Sequence, residues 1–259
     1  MYDGIQAADI QKGFVLGAQC GPDSFITPSW YDKANTTVAA GDPGEKNTTA
    51  NILSIHIYNG YFSQNTLIST CEVNPRIQTA DGYAHTAPPT AVVPEQALWD
   101  PAFSVDFIKG IGGTSYAHVM PAGRLGGLSA RWTNTFQASE PVVSTRGLRM
   151  STRRLPDGGA QIEDYNRTSN TLRMFGKRRS WGGHVVYADN HMNFEESPAP
   201  PSTEIGGRVG GADRRWSDFL FADEYTAGDG PEHPYATNSY LGIFTKAGPT
   251  MADYRAIWD

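Results

Sequence analysis

The chain has 259 residues, 39% hydrophobic and 19% charged, enough for one large domain or two small ones. Glycine (28) and proline (17) together make up about a sixth of it and aromatics 11%, a loop-rich, strand-leaning composition that excludes a helical bundle and a disordered chain. A net charge of −6 gives a nucleic-acid partner no electrostatic support.

The start, Met1-Tyr2-Asp3-Gly4, shows no basic region followed by an apolar one, so no signal peptide is visible. No apolar run approaches the length of a membrane span. The expectation is either a cytoplasmic protein or a chain numbered from after a removed segment. Asp3 is placed to cap a short helix through Ile5, Ala8 and Ile10 that ends at Gly13, and residues 14–16 read as a strand. Residues 21–46 read as loop, because Pro22, Pro28, Pro43 and Gly44 interrupt every period. A helix is expected from about Thr49 to Tyr58, capped by Thr48 or Thr49, with Gly60 as its left-handed terminator. Its β-branched residues keep a strand as the alternative. A turn and a second short piece lead from Tyr61 to Cys71.

Residues 74–101 form a long connection rich in Pro and Thr, with Pro88-Pro89 in its middle. Strands are expected at 115–120 and 142–145, separated by the Gly-rich stretch 123–135. The locally basic run 146–154 reads as a solvated strand or loop edge, and Asp157-Gly158-Gly159 as a turn. Lys177-Arg178-Arg179 is too short for a nucleic-acid patch in an acidic chain. Further on, 206–211 is Gly-rich, 216–221 is an expected strand with Phe219 and Phe221 on one face, and 239–244 is the last.

The clearest signal is Trp181 to Phe194. Gly182-Gly183 marks a bend or a close backbone approach, and Asp189-Asn190 suits a two-residue hairpin turn. That turn pairs Tyr187 with Met192 and Val185 with Phe194, giving one apolar face. His184, Val186, Ala188, His191, Asn193 and Glu195 fall on the other. Phe194 is then buried, and Phe194→Ala should cost about 3–5 kcal/mol. His184 and His191 flank Asp189 on the polar face but stand about 10 Å apart along the ribbon, too far to share one metal ion.

The order of pieces carries a resemblance. Gly183-His184-Val185-Val186-Tyr187-Ala188-Asp189-Asn190-His191-Met192-Asn193-Phe194 resembles the "NVLFADGHVxF" hairpin of prepilin-type proteins, relatives of type II secretion pseudopilins. Asn51-Ile52-Leu53 through Gly60-Tyr61-Phe62 to Ile68 and Cys71 is similar to that group's helix, Gly-Tyr-Val turn and "FxCP" segment. Ser115-Tyr116 is similar to its "SYSY" strand, residues 142–146 to its "VxADR" strand, and Asp218-Phe219-Leu220-Phe221 to its closing "DNIYT" piece. The resemblance spans roughly 50–245. It departs at Asn190, where the family has Gly, at Glu72, where the family has Pro, and in the apolar N-terminal methylation helix, which is not seen.

The resemblance implies an α+β fold: a single pilin-like globular domain over 1–259. It would carry an antiparallel β-sheet, a short helical N-terminal part, long decorating loops, a loop-rich N-terminal part (1–48) and a C-terminal extension (197–259). It implies a non-enzymatic structural subunit, extracellular or in the cell envelope, that assembles with copies of itself into a filament or sheath. Some pseudopilins bind calcium in the region matching the acidic stretch here. Asp218, Asp223 and Asp229 are therefore calcium candidates, although EF-hand spacing is absent and a solvated acidic loop is the alternative.

No other cofactor is expected. Cys20 and Cys71 read either as buried free thiols or as a disulfide worth about 4 kcal/mol in the chain-entropy model. GxSxG, HExxH and a phosphate loop are all missing, so no catalytic residue is named. Two other functions stay open. Trp30, Trp99, Trp132 and Trp216 could line the surface of a secreted carbohydrate- or surface-polymer-binding module, and a hydrolase would need convergent carboxylates.

Overall fold

The computed structural model describes residues 47–91, 94–97, 99–120, 137–156, 159–176, 179–209, 212–222, 239–247 and 251–259. The expected elements at 5–13, 14–16 and 123–135 lie outside these, as does the whole 21–46 loop.

Thr48 opens the first described element. Its hydroxyl oxygen accepts the Asn51 N–H at 3.3 Å, and helix α1 runs over Thr49–Tyr58. Gly60 ends it at φ +75°, with the Gly60 N–H on Ile57 O and the Tyr61 N–H on His56 O, both at 3.0 Å. That pair of bonds is a Schellman closure. The left-handed glycine therefore decides between helix and strand, against the β-branched content.

Eleven short strands are described: β1 (Tyr116–Val119), β2 (Pro141–Thr145), β3 (Met150–Arg154), β4 (Ala160–Tyr165), β5 (Gly183–Tyr187), β6 (Met192–Glu195), β7 (Glu204–Val209), β8 (Ala212–Ser217), β9 (Leu241–Gly242), β10 (Phe244–Lys246) and β11 (Arg255–Ala256). Five of them form one antiparallel sheet in the order β6-β5-β2-β1-β9. The others pair as ribbons, β3 with β4, β7 with β8 and β10 with β11. One helix with an antiparallel sheet is an α+β arrangement.

A single buried cluster holds Ile52 and Ile57 of α1, Phe107, Val119, Trp181, Val185, Tyr187, Phe221 and Phe244. Gly182-Gly183 was read as a close approach, and a Cβ added at Gly183 would stand 2.7 Å from the Trp181 ring and 2.9 Å from Thr145 Cβ. Strand 216–221 is corrected. β8 ends at Ser217, and Phe219, Leu220 and Phe221 turn inward together, all buried. The last expected strand breaks at Ile243 into β9 and β10, and the long 74–101 connection carries a short 3₁₀ turn at Pro94–Gln96 and the buried Trp99.

The hairpin is real but its register is not the expected one. Tyr187 N–H donates to His191 O at 3.0 Å and Asn190 N–H to Tyr187 O at 2.9 Å, so the loop has three residues, Ala188-Asp189-Asn190. Asn190 takes the left-handed position at φ +70°, as in a type I turn closed by a bulge. Val185 therefore faces Asn193, and His184 faces Phe194. A one-residue slip moves every side chain of a strand to the other face. Val185 and Tyr187 stay buried, whereas Met192 is 60% and Phe194 42% exposed. Phe194→Ala should accordingly cost about 1–2 kcal/mol of ring contacts instead of a core cavity. Asn190→Pro cannot take φ +70° and loses the N–H, so urea denaturation should register a loss of more than about 1 kcal/mol. Asn190→Gly takes that φ freely and should stay within about 1 kcal/mol of wild type.

Arg146, at the end of β2, ties distant segments together. Its Nε and Nη2 donate to both Glu72 oxygens at 2.9 and 2.8 Å. Nη1 reaches Asp259 Oδ2 at 2.8 Å and Thr171 Oγ1 at 2.6 Å. The Trp181 indole donates to Arg146 O at 3.1 Å.

Candidate self-association surface

The corrected register builds one face from residue types that normally sit inside. His184 and Phe194 are cross-strand partners, Val186 pairs with Met192, and Val143 of β2 pairs with Val186. Alternation along each strand puts all five on the same side. Val143, His184 and Val186 are half-buried. Strand β6 is one of the two outer strands of the sheet.

Phe175 completes the face from a neighbouring loop. Its ring centroid lies 5.2 Å from His184 and 5.3 Å from Phe194, and those two rings are 5.2 Å apart. All three meet edge to face, the geometry aromatic quadrupoles favour. Phe175 takes φ +56°, a left-handed backbone that costs a bulky residue about 1–3 kcal/mol. Backbone strain of this kind collects at functional surfaces, and here it aims an aromatic ring at a partly exposed cluster.

The opposite face of the hairpin is polar at its rim and satisfied. The His191 ring stacks on Tyr187 with centroids 4.4 Å apart. Asp189 Oδ1 accepts the backbone N–H and the Nδ1–H of His191. Those two bonds hold the Asp189 carboxyl below the usual carboxylate range. The Tyr187 hydroxyl donates to Glu195 Oε1 at 2.9 Å, and burial pushes its pKa up to about 12. The expectation that His184 and His191 share a face is corrected: His184 packs with Phe194, and His191 packs on Tyr187 across the strand.

The remaining expected residues scatter. Asp218 is 1% exposed, and both its oxygens accept the Ser239 N–H, at 3.0 and 2.9 Å. That contact braces the two ends of the intervening segment, while Asp223 and Asp229 lie outside the described residues. Cys71 is half-buried in a turn, and Cys20 lies outside the described residues. Trp99 is buried, Trp216 is half-buried, and Trp30 and Trp132 lie outside the described residues. Among the described residues no three or more His, Cys, Asp or Glu side chains gather as a metal site, and no helix is long and apolar enough to cross a membrane. Sequence reading missed Phe175 altogether, since no motif announces a left-handed phenylalanine.

Comparison with known protein families, characterised proteins and solved structures finds no match for this chain.

Proposed function

We propose that the protein is a non-enzymatic structural subunit, pilin- or pseudopilin-like, that assembles with copies of itself in the cell envelope or outside the cell. The observation that carries this reading is the Phe175–His184–Phe194 cluster with Val186 and Met192 at the β6 edge of the sheet. Contiguous exposed apolar surface rimmed by polar residues marks a contact site. Burying the exposed halves of Met192 and Phe194 returns on the order of 1 kcal/mol each. In a two-fold contact each counts twice. That is enough for a contact that forms at high local concentration and adds up along a polymer, and too little for a tight dimer in dilute solution. Electron microscopy of the purified chain at rising concentration tests the reading. Ordered polymers or regular oligomers are the expected result, and dispersed monomers at every concentration would remove it.

A further inference from the structure

A groove of about 480 Å³ lies between the start of α1, the 101–109 loop and the β10–β11 ribbon. Its walls are apolar at Ala50, Phe103, Val105, Ile108 and Ile257. Three cations line it: Lys109, Lys246 and Arg255. Lys109 reaches Asp106 at 3.3 Å. The other two are different. Lys246 and Arg255 stand directly opposite each other across the ribbon, and like charges in that position repel and destabilise the pair. Among the described residues neither has a carboxylate partner. In a chain of net charge −6, two facing cations beside an apolar groove with no counter-ion among the described residues break a local rule. Such violations collect where a partner supplies the compensation.

A second cleft, about 380 Å³, shares Ala102, Phe103 and Ser104 as a wall, and Gln78, Thr79 and Asp81 line it with polar groups. Ile108 and Ile111, on the loop that borders both, are 47% and 49% exposed. The surface is therefore mixed, apolar and cationic at one end and polar at the other, where Asp81 and Asp100 sit beside Gln78 and Thr79, so a partner's carboxylates belong at the cationic end. That matches an extended polypeptide better than a hydrocarbon chain, which has no use for the polar end.

We propose that this groove binds an acidic, aliphatic segment of a partner protein. Its carboxylates pair with Lys246 and Arg255, and an aliphatic side chain packs on Phe103, Ile108 and Ile257. Charge complementarity chooses the sign of the partner, and the apolar floor gives it more than charge alone.

Fluorescence anisotropy with the full chain tests this. The probe is a labelled peptide, Ser-Glu-Leu-Glu-Ile-Glu-Ser, set against Ser-Gln-Leu-Gln-Ile-Gln-Ser and Ser-Glu-Ser-Glu-Ser-Glu-Ser. The probe should bind saturably and weaken as salt rises from about 50 to 500 mM. Both control peptides should bind at least about tenfold more weakly. Lys246→Gln with Arg255→Gln should lower affinity by at least about tenfold while Tm stays level or rises, because the repulsion is gone. Ile108→Ser, at an exposed position, should weaken binding with Tm unchanged. Three results would overturn the proposal: no saturable binding, binding indifferent to these substitutions, or equal binding of the Glu–Ser peptide. Preferential binding to phosphatidylglycerol vesicles would overturn it as well, by assigning the groove to lipid.

Discussion

Arg146→Met is expected to destabilise the protein by about 3–5 kcal/mol in urea denaturation at neutral pH. The Arg146 side chain is 2% exposed, against 4% for Glu72 and 8% for Asp259. Removing the cation leaves two buried carboxylates facing one vacated site. Burial on its own raises both carboxyl pKa values, but the hydrogen bonds and charge of Arg146 outweigh it and hold them below the ordinary range. Their contribution is therefore present above the unfolded carboxylate pKa and fades as pH falls through the lowered folded values. In Arg146→Met the sign reverses: the orphaned acids prefer to be protonated, so the variant's deficit shrinks toward acid pH. Arg146→Lys will not rescue it, because a point charge cannot fork across both Glu72 oxygens and still reach Asp259. A triple variant, Arg146→Met with Glu72→Gln and Asp259→Asn, should recover part of the loss. If Arg146→Met alone unfolded at the wild-type midpoint, the network would be ornamental.

The second large effect is a loss of about 3 kcal/mol as pH falls from 6.5 to 4, traced to His118. Its Nδ1–H donates to Val119 O at 2.8 Å, and its Nε2 accepts from Thr49 Oγ1 at 2.7 Å. Thr49 Oγ1 in turn accepts the Phe244 N–H at 2.7 Å. The chain requires a neutral ring, and burial lowers the His118 pKa to about 4. An unfolded histidine titrates near 6.5, so between about 6.5 and 4 the unfolded state binds the extra proton and stability falls with pH. Above 6.5 the contribution is whole. His56, also lowered by burial, acts in the same direction. Urea midpoints at pH 7.5 and 4.5 should converge in His118→Gln relative to wild type. An unchanged pH dependence in that variant would assign the acid sensitivity elsewhere.

What the sequence could reveal follows from where side chains are buried. Helix α1 was legible because Thr48 and Gly60 are local devices, a cap and a left-handed stop, that work without tertiary help. Strands β1 and β2 were legible because they belong to the buried sheet. Of the β3–β4 ribbon, β3 was read as a solvated strand or loop edge, but β4 was not named, since it mixes half-buried and exposed positions with no apolar stripe. β7 and β8 were not named, because β7 carries Gly206 and Gly207 in place of an apolar stripe and the stretch was noted only as Gly-rich. The 181–194 hairpin was half legible. Its turn residue Asn190 was identified, but two- and three-residue loops share the same Asp-Asn signature, and choosing between them flips Met192 and Phe194. Arg146 was noted as the end of a strand piece and the start of a basic run, but not as the hub of a network, because its partners lie 74 residues before it and at Asp259.

The central claim is that the face this flip exposes is where copies meet. Sedimentation velocity over about a hundredfold range of concentration tests it most directly, comparing the wild type with the double variant Met192→Glu/Phe194→Glu. Both positions are exposed, so the variant should keep its circular dichroism and lose about 1–2 kcal/mol of stability, the ring contacts of Phe194. The wild type should form larger species as concentration rises, and the variant should sediment as a monomer throughout. Equal assembly by both, or a wild type that stays monomeric at the highest concentration, would contradict the account.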